Sequence, residues 1–201
     1  DAKDYKNALA YFSTLEDVTM DEEDLSLSVK GQFYCFYYLN NPISTIKYAK
    51  KTLQLSNINK KLKEDSYLYL AKSYQSVNQL DSAIIYYDSI MYFTKSIAAA
   101  ESKYHICEIA YERKSYELCE SLIMELVQQK PSYDYWLAKG ILLLGDNFTA
   151  QNDYFNAKHS VESIIENYDG FNKKEIVDEA VLKLESIIKL ENDARQEQPV
   201  Q

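Results

Sequence analysis

Residues 141–164 read ILLLGDNFTAQNDYFNAKHSVESI, and this stretch decides the fold. Its second half carries apolar or small residues spaced three, four and three apart, which places them on one face of a helix: Tyr154, Ala157, Val161 and Ile164. Its first half has Gly145 directly after Leu144 and twelve residues before Ala157. The stretch therefore predicts two helices, joined by a turn, that approach closely where both residues are small.

The same helical pattern occurs five times along the chain. The five segments are Tyr5-Ala8-Phe12-Leu15, Ile43-Ile46-Lys50-Leu53, Leu80-Ala83-Tyr87-Ile90, Tyr116-Cys119-Ile123-Leu126 and Tyr154-Ala157-Val161-Ile164. Their second residues are 38, 37, 36 and 38 positions apart. A helical hairpin repeated at this spacing must stack on its neighbours, because it cannot bury both of its faces alone.

Small residues mark the expected point of helix contact in the last three repeats. The pairs, each twelve residues apart, are Ala71 and Ala83, Cys107 and Cys119, and Gly145 and Ala157. The second repeat departs most from the pattern, since Tyr34 and Ile46 stand at the small positions. Lys50 also replaces a large apolar residue there.

This arrangement resembles the tetratricopeptide repeat (TPR) family. The best match is Ile141-Leu144-Gly145-Phe148 followed by Tyr154-Ala157-Val161-Ile164, which has the family's Leu-Gly pair and its aromatic-x-x-Ala helix start. The resemblance covers about residues 4–168, with a period two to four residues longer than the family's ~34. It implies an all-α fold, a right-handed α-solenoid of TPR-like helical hairpins with a C-terminal capping helix.

The resemblance also divides the chain into repeats within a single domain, 1–201. We expect a partial repeat at about 4–16, and full repeats at about 22–55, 60–93, 96–130 and 133–167. A capping helix is expected at about 172–196, with Ile176, Ala180 and Ile187 among the residues of its apolar side. The Tyr5 segment has no first helix before it, so we expect either that the sequence begins inside an array or that the mature chain begins with an unpaired helix.

Several residues are expected to begin or end helices. Asn41 followed by Pro42 predicts a cap and a first-turn proline, and Ser115 and Asp153 are expected to cap later helices. The acidic run at 21–24 is expected to favour the start of the helix that follows it, through the helix dipole. Gly170 is expected to end a helix in the left-handed conformation.

Composition limits the classes of function. The 31 acidic and 22 basic residues give a net charge of −9 over 201 residues, which disfavours nucleic acid or an anionic membrane as the main partner. No run of 18 apolar residues occurs, so we expect no membrane insertion. The histidines, His105 and His159, fall in different repeats without metal-ligand spacing. We therefore expect no catalytic site, cofactor or metal.

Cys107 and Cys119 occupy both small positions of one repeat, so their side chains should face each other. As free thiols they would serve as small hydrophobic residues, which is the interpretation we favour. The alternative is a disulfide that clamps the hairpin in an oxidising compartment.

In the TPR family, the first helices of successive repeats line a concave groove. Carried onto this sequence, the groove positions are Gly31, Cys35 and Tyr38, then Leu68, Lys72 and Gln75, then Tyr104, Glu108 and Tyr111, then Leu142, Asp146 and Thr149. Tyrosines and leucines interspersed with single charges are typical of a peptide-binding groove. The alternative is that these residues pack within the array. Glu108 and Asp146 would repel a carboxylate, which argues against binding of chaperone tails.

The resemblance predicts a non-catalytic scaffold that holds a peptide segment or a partner helix in this groove. The alternative is a regulatory or sensor module that controls an effector domain. The Tyr-, Lys- and Asn-rich composition and the phrase Tyr135-Trp136-Leu137-Ala138-Lys139 resemble bacterial TPR proteins of the cell envelope. Asn147-Phe148-Thr149 matches a glycosylation acceptor, but it lies in a predicted helix and is expected to stay unmodified.

Overall fold

Ten α-helices make up the computed structural model, which describes residues 2–196; that part of the chain has no strand. The helices are α1 (Ala2–Val18), α2 (Glu22–Tyr38), α3 (Pro42–Leu53), α4 (Lys60–Ser76), α5 (Leu80–Phe93), α6 (Ile97–Glu112), α7 (Tyr116–Gln128), α8 (Asp134–Ala150), α9 (Tyr154–Asn167) and α10 (Lys173–Gln196). The all-α class predicted from the sequence is confirmed.

The chain divides into two compact units, Asp1–Thr94 and Lys95–Gln201. In the first unit consecutive helices pack on each other, from α1 and α2 to α4 and α5. In the second unit α6 to α10 do the same, and α8 also packs on α6 and on α10. Each unit therefore consists of helices stacked in chain order, as a repeat of hairpins requires.

One backbone turn joins the two helices of each hairpin. Each turn contains one residue of positive φ; in chain order these are Asn40 (53°), Asn78 (58°), Lys114 (57°) and Asn152 (61°). The next residue donates its backbone N–H to a carbonyl in the last turn of the helix, at 2.9–3.0 Å: Asn41 to Phe36, Gln79 to Tyr74, Ser115 to Ala110 and Asp153 to Phe148. This pattern is the Schellman motif, which satisfies carbonyls that the helix end would leave unpaired.

Counting from this left-handed residue gives the same register in three hairpins. The residues seven before it and five after it are the predicted small pairs, and all of them are buried: Ala71 and Ala83, Cys107 and Cys119, Gly145 and Ala157. In the α2–α3 hairpin the same count reaches Phe33 and Thr45, which are 0% and 1% exposed. Tyr34 and Ile46 are only half-buried. The predicted register of the second repeat was therefore wrong by one residue.

Two buried threonines explain the shifted register of α3. The buried residues of α3 are Thr45, Tyr48, Ala49 and Thr52, and three of them stand one place before the predicted Ile46, Lys50 and Leu53. The threonine hydroxyls donate to carbonyls one turn back, Thr45 to Asn41 at 2.8 Å and Thr52 to Tyr48 at 2.9 Å. Because their polar atoms are satisfied within the helix, these threonines pack as core residues.

The α8–α9 hairpin shows how close the helices come. A Cβ atom built on Gly145 would lie 2.6 Å from Val161 Cγ2 and 3.5 Å from the carbonyl oxygen of Ala157. Val161 is fully buried and branched at Cβ, so it has little freedom to move away. Only glycine fits at this position, which confirms the close contact predicted for the Gly145–Ala157 pair.

Helix α1 packs on α2, and its Glu16 side chain also bonds to α3. Phe12 of α1 covers Gly31 of α2, where an added Cβ would lie 2.4 Å from the ring. Glu16 accepts hydrogen bonds from Gln32 Nε2 (2.5 Å), Tyr48 OH (2.9 Å) and Lys51 Nζ (2.6 Å). Burial alone would raise the pKa of Glu16, but these hydrogen bonds outweigh it and lower the pKa below its usual value.

Helix α10 closes the second unit. Ile176, Ala180 and Ile187 are buried against the core of that unit, as predicted. Its opposite side is less polar than expected, because Val181 and Leu182 are 38% and 67% exposed.

Two of the three predicted N-caps form: Asn41 accepts from the backbone of Ser44, and Asp153 from that of Asn156. In the acidic run before α2, Asp21 caps the helix by accepting from the backbone of Glu23 and Asp24, a role that was not predicted. The Ser115 side chain makes no cap hydrogen bond. Gly170 was also wrongly predicted: the described glycines have no positive φ, and the left-handed residue before α10 is Asn172 (55°).

Replacing Gly145 by alanine should destabilise the second unit by about 1–2 kcal/mol, because overpacking against Val161 exceeds the gain in helix propensity. Gly140→Ala is the matched control on the same helix. Its Cβ would meet Leu126 Cδ2 at 3.0 Å, the end of a flexible side chain that can turn away. Urea unfolding measures both variants, and equal midpoints for the two would contradict the packing described for α8 and α9.

Candidate protein-binding surfaces

Five tyrosines of the first unit form a contiguous group, here called the tyrosine cluster: Tyr5 of α1, Tyr34, Tyr37 and Tyr38 of α2, and Tyr69 of α4. The Tyr37 and Tyr69 rings stack in parallel with centroids 3.6 Å apart. Tyr5 and Tyr38 stack at 4.7 Å. Tyr34 meets Tyr69 edge-on at 6.3 Å, and Tyr38 meets Tyr37 edge-on at 5.4 Å. Ring contacts therefore connect three helices of this unit.

A hydrogen bond fixes Tyr34 of the cluster, and burial raises the pKa of two of the cluster's phenols. Tyr34 OH donates to Asp65 Oδ2 at 2.8 Å, and Lys61 Nζ donates to Asp65 Oδ1 at 2.8 Å. Burial and the bond to Asp65 raise the pKa of Tyr34, and burial and the nearby Tyr38 hydroxyl raise the pKa of Tyr69.

The groove residues predicted in the first unit fall in different environments. Tyr38 is 45% exposed at the edge of the tyrosine cluster, whereas Leu68 is 6% exposed and belongs to the core. Lys72 and Gln75 are half-buried, and Gln75 Oε1 accepts a hydrogen bond from Tyr87 OH at 2.8 Å. Among these four residues, Tyr38 offers the largest accessible fraction to a partner.

The groove positions predicted on α2 need the same one-residue correction as the repeat. Gly31 lies under the Phe12 ring, and Cys35 is 3% exposed, so both are packing positions. In the α4, α6 and α8 sets, the predicted residues stand ten, six and three places before the left-handed residue. On α2 that count gives Lys30, Tyr34 and Tyr37. Two of these three residues belong to the tyrosine cluster.

In the second unit, two of the predicted groove residues are buried. Tyr104 is 8% exposed and Leu142 is 1% exposed. Tyr104 packs on Trp136 of α8, with ring centroids 5.4 Å apart. Sequence reasoning did not select Trp136 as a site residue, although it is the only tryptophan in the chain. Glu108, Tyr111, Asp146 and Thr149 are half-buried.

Charged groups of α6, α8 and α10 pair with one another in this unit. Glu108 Oε2 lies 2.6 Å from His105 Nδ1. Burial would raise the pKa of Glu108, but the hydrogen bond and charge of His105 prevail and lower it. Lys183 donates to Asp146 Oδ2 at 2.5 Å, and Lys139 donates to Glu179 at 2.8 Å. These two ion pairs join α10 to α8.

The glycosylation motif is not accessible in the folded chain. Asn147 is fully buried, and its Nδ2 donates to the carbonyl of Tyr116 at 3.1 Å. A glycan cannot be attached there without unfolding the second unit.

All three cysteines are free thiols, and all are buried. Cys107 and Cys119 lie in one core cluster at the contact between α6 and α7. Burial raises the pKa of Cys119 to about 11, and it also raises the pKa of Cys107 and of Cys35. A thiol that is both inaccessible and protonated reacts slowly.

Residues 2–196 contain neither a membrane-spanning helix nor a cluster of metal ligands. No helix within residues 2–196 is long and apolar enough to cross a membrane. In the same range, no group of three or more His, Cys, Asp or Glu residues could hold a metal ion.

Solved structures give the class of fold. The crystal structure of BtubC (BKLC) from P. vanneervenii matches 100% of this chain and 93% of its own, with a TM-score of 0.61 and 13% sequence identity. The TPR domain of P58(IPK) matches 98% of this chain and 53% of its own, with a TM-score of 0.49 and 14% identity. No family model and no curated protein sequence matches. The chain has an all-helical fold of repeating hairpins, and at 13% identity the match to BtubC concerns the fold alone.

The three thiols should be unreactive in the native protein and should all react once it is unfolded. Titration with a chromogenic disulfide reagent at pH 8, without reductant, measures both numbers. A single reactive thiol in denaturant would contradict this and indicate a bridge, which the facing Cys107 and Cys119 would form.

Proposed function

We propose that this chain is a non-catalytic protein-interaction module, and that its first unit binds a peptide segment or a partner helix on the tyrosine cluster. The observation that carries the proposal is the gathering of five tyrosines from three helices into one ring-stacked group with an exposed edge. The fold supports it, because helical repeats present extended surfaces for partners.

Tyrosine suits such a surface. Its ring contributes a large apolar area, and its hydroxyl can bond a peptide backbone, so it is enriched at the energetic centres of interfaces. The stacked rings hold one another in place, so that little side-chain freedom is lost when a partner binds. Tyr38 is the member that a partner would contact most directly, being 45% exposed.

The remaining predicted residues enter the proposal in two groups. In the first unit, Lys72 and Gln75 are half-buried and would contact the partner with their exposed atoms, and the buried Leu68 would support that surface from below. In the second unit, Glu108, Tyr111 and Asp146 are half-buried and would contact a partner of that unit, above the buried Tyr104 and Leu142. A bacterial origin and a cell-envelope setting remain part of the proposal, on composition alone.

The non-catalytic part of the proposal is supported by the histidines. His105 is held by Glu108 at 2.6 Å, and His159 is exposed on α9. The two therefore have different surroundings, and neither arrangement resembles a nucleophile paired with a base.

Replacing Tyr38 by glutamate tests this function, since it adds a charge at the exposed edge of the tyrosine cluster. The tagged chain is used as bait in lysate of its native cell, and bound proteins are quantified by mass spectrometry. Tyr38→Glu should lower recovery of the main partner at least about tenfold, the effect of losing an interface residue worth ~1.4 kcal/mol.

Tyr92→Glu is the matched control, because Tyr92 is 94% exposed in the same unit and lies outside the cluster. It should leave recovery within about twofold of wild type, the range expected of a residue outside the interface. Unchanged recovery with Tyr38→Glu, or equal losses with both variants, would refute the assignment of the cluster as the binding surface.

A further inference from the structure

A polar cavity of about 340 Å³ lies in the first unit, beside the first turn of α3. Its walls come from the end of α2, the α2–α3 turn, the start of α3 and the second half of α4. Tyr37 and Lys72 both line it. The cavity therefore borders the tyrosine cluster, to which Tyr37 belongs.

The second unit shows why this cavity exists. Measured from the left-handed residue of the turn, Ser73 stands where the second unit has Asn147, and Pro42 stands where it has Tyr116. In the second unit Asn147 reaches across to the carbonyl of Tyr116 at 3.1 Å. In the first unit the smaller Ser73 and Pro42 both line the cavity.

The cavity lining carries one sign of charge. Lys72 is the only charged residue that lines it, and the residue at the same position in the second unit is Asp146. The neighbouring helix α3 has basic residues at 47, 50 and 51 and no acidic residue. The position of the cavity therefore favours a negatively charged group.

Hydrogen-bond donors complete the cavity. The hydroxyl of Ser73, a residue only 4% exposed, lines it, and the structure assigns that hydroxyl no hydrogen bond within the described residues. The N-terminus of α3 also borders the cavity, with Pro42 at the first helical position. The positive end of a helix dipole attracts anions, although in α3 the Ser44 N–H is already bonded to the Asn41 side chain and Pro42 has no N–H.

We propose that this cavity binds the phosphate group of a phosphorylated serine or threonine on the partner that occupies the tyrosine cluster. A phosphate offers three strong acceptor oxygens and close to two negative charges. Lys72 already makes a polar contact in the structure, and its ammonium has three donors, so the phosphate would share it. This inference rests on the proposed function, because the partner carries the phosphate.

Nuclear magnetic resonance titration tests the proposal on the whole chain. The probes, at constant ionic strength, are N-acetyl-phosphoserine N-methylamide, its serine and glutamate counterparts, and inorganic phosphate. We expect saturable shifts of the Ile43, Ser73 and Ser76 amides with the phosphoserine probe and none with the serine probe. Lys72→Gln and Ser73→Asn should each weaken binding at least about tenfold, the loss expected when a charge-assisted hydrogen bond is removed or the cavity is filled.

Lys60→Gln is the matched control, since Lys60 lies on the same helix, is 69% exposed and does not line the cavity. It should bind like wild type. Absence of saturable shifts, or wild-type binding by both Lys72→Gln and Ser73→Asn, would overturn the proposal. Glutamate binding as tightly as phosphoserine would overturn the choice of phosphate, and tighter binding of inorganic phosphate would overturn the partner-borne source.

Thermal melting checks that Ser73→Asn is folded, and Lys72→Gln gives an independent result if it is not. The proposal for the cavity and the proposal for the tyrosine cluster can also be refuted independently. Partner capture that survives Lys72→Gln and Ser73→Asn would refute the phosphate cavity and leave the proposed function standing. If Tyr38→Glu loses partner capture but still binds phosphoserine, the partner is held by the tyrosine cluster and the phosphate by the separate cavity.

Discussion

The geometry of each hairpin depends on one residue in the left-handed conformation and on the hydrogen bond that follows it. The backbone N–H after that residue returns to a carbonyl in the last turn of the helix, so the chain leaves the helix in one direction. The residues seven before and five after are then brought together. In the α8–α9 hairpin they are Gly145 and Ala157, where an added Cβ would collide with Val161.

The surfaces follow from this register. In the first unit it leaves Tyr34 and Tyr37 beside Tyr69 of the next hairpin, and this contact forms the centre of the tyrosine cluster. It also sets Ser73 opposite the start of α3, where a larger residue would close the cavity. In the second unit Asn147 at the equivalent place donates to the carbonyl of Tyr116, so similar hairpins present different surfaces.

The helical class and the small pairs could be predicted from the sequence, because apolar spacing and side-chain size are local properties. The register of α3 could not, since a shift of one residue keeps most of a helical face apolar and isoleucine looked more suitable for a core than Thr45. A usable signal was present: asparagine occurs at 40, 78 and 152, one per hairpin, and Lys114 interrupts the series. The burial of Leu142 and Tyr104 depends on packing between neighbouring helices, which spacing does not report.

Amide hydrogen exchange tests the central claim most directly. The N–H groups of Asn41, Gln79, Ser115 and Asp153 lie in loops, yet each makes the returning hydrogen bond of its turn. We predict that all four exchange as slowly as amides inside the adjoining helices. Exchange of these four amides at the rate of an unstructured peptide would contradict the turn and, with it, the register on which both surfaces depend.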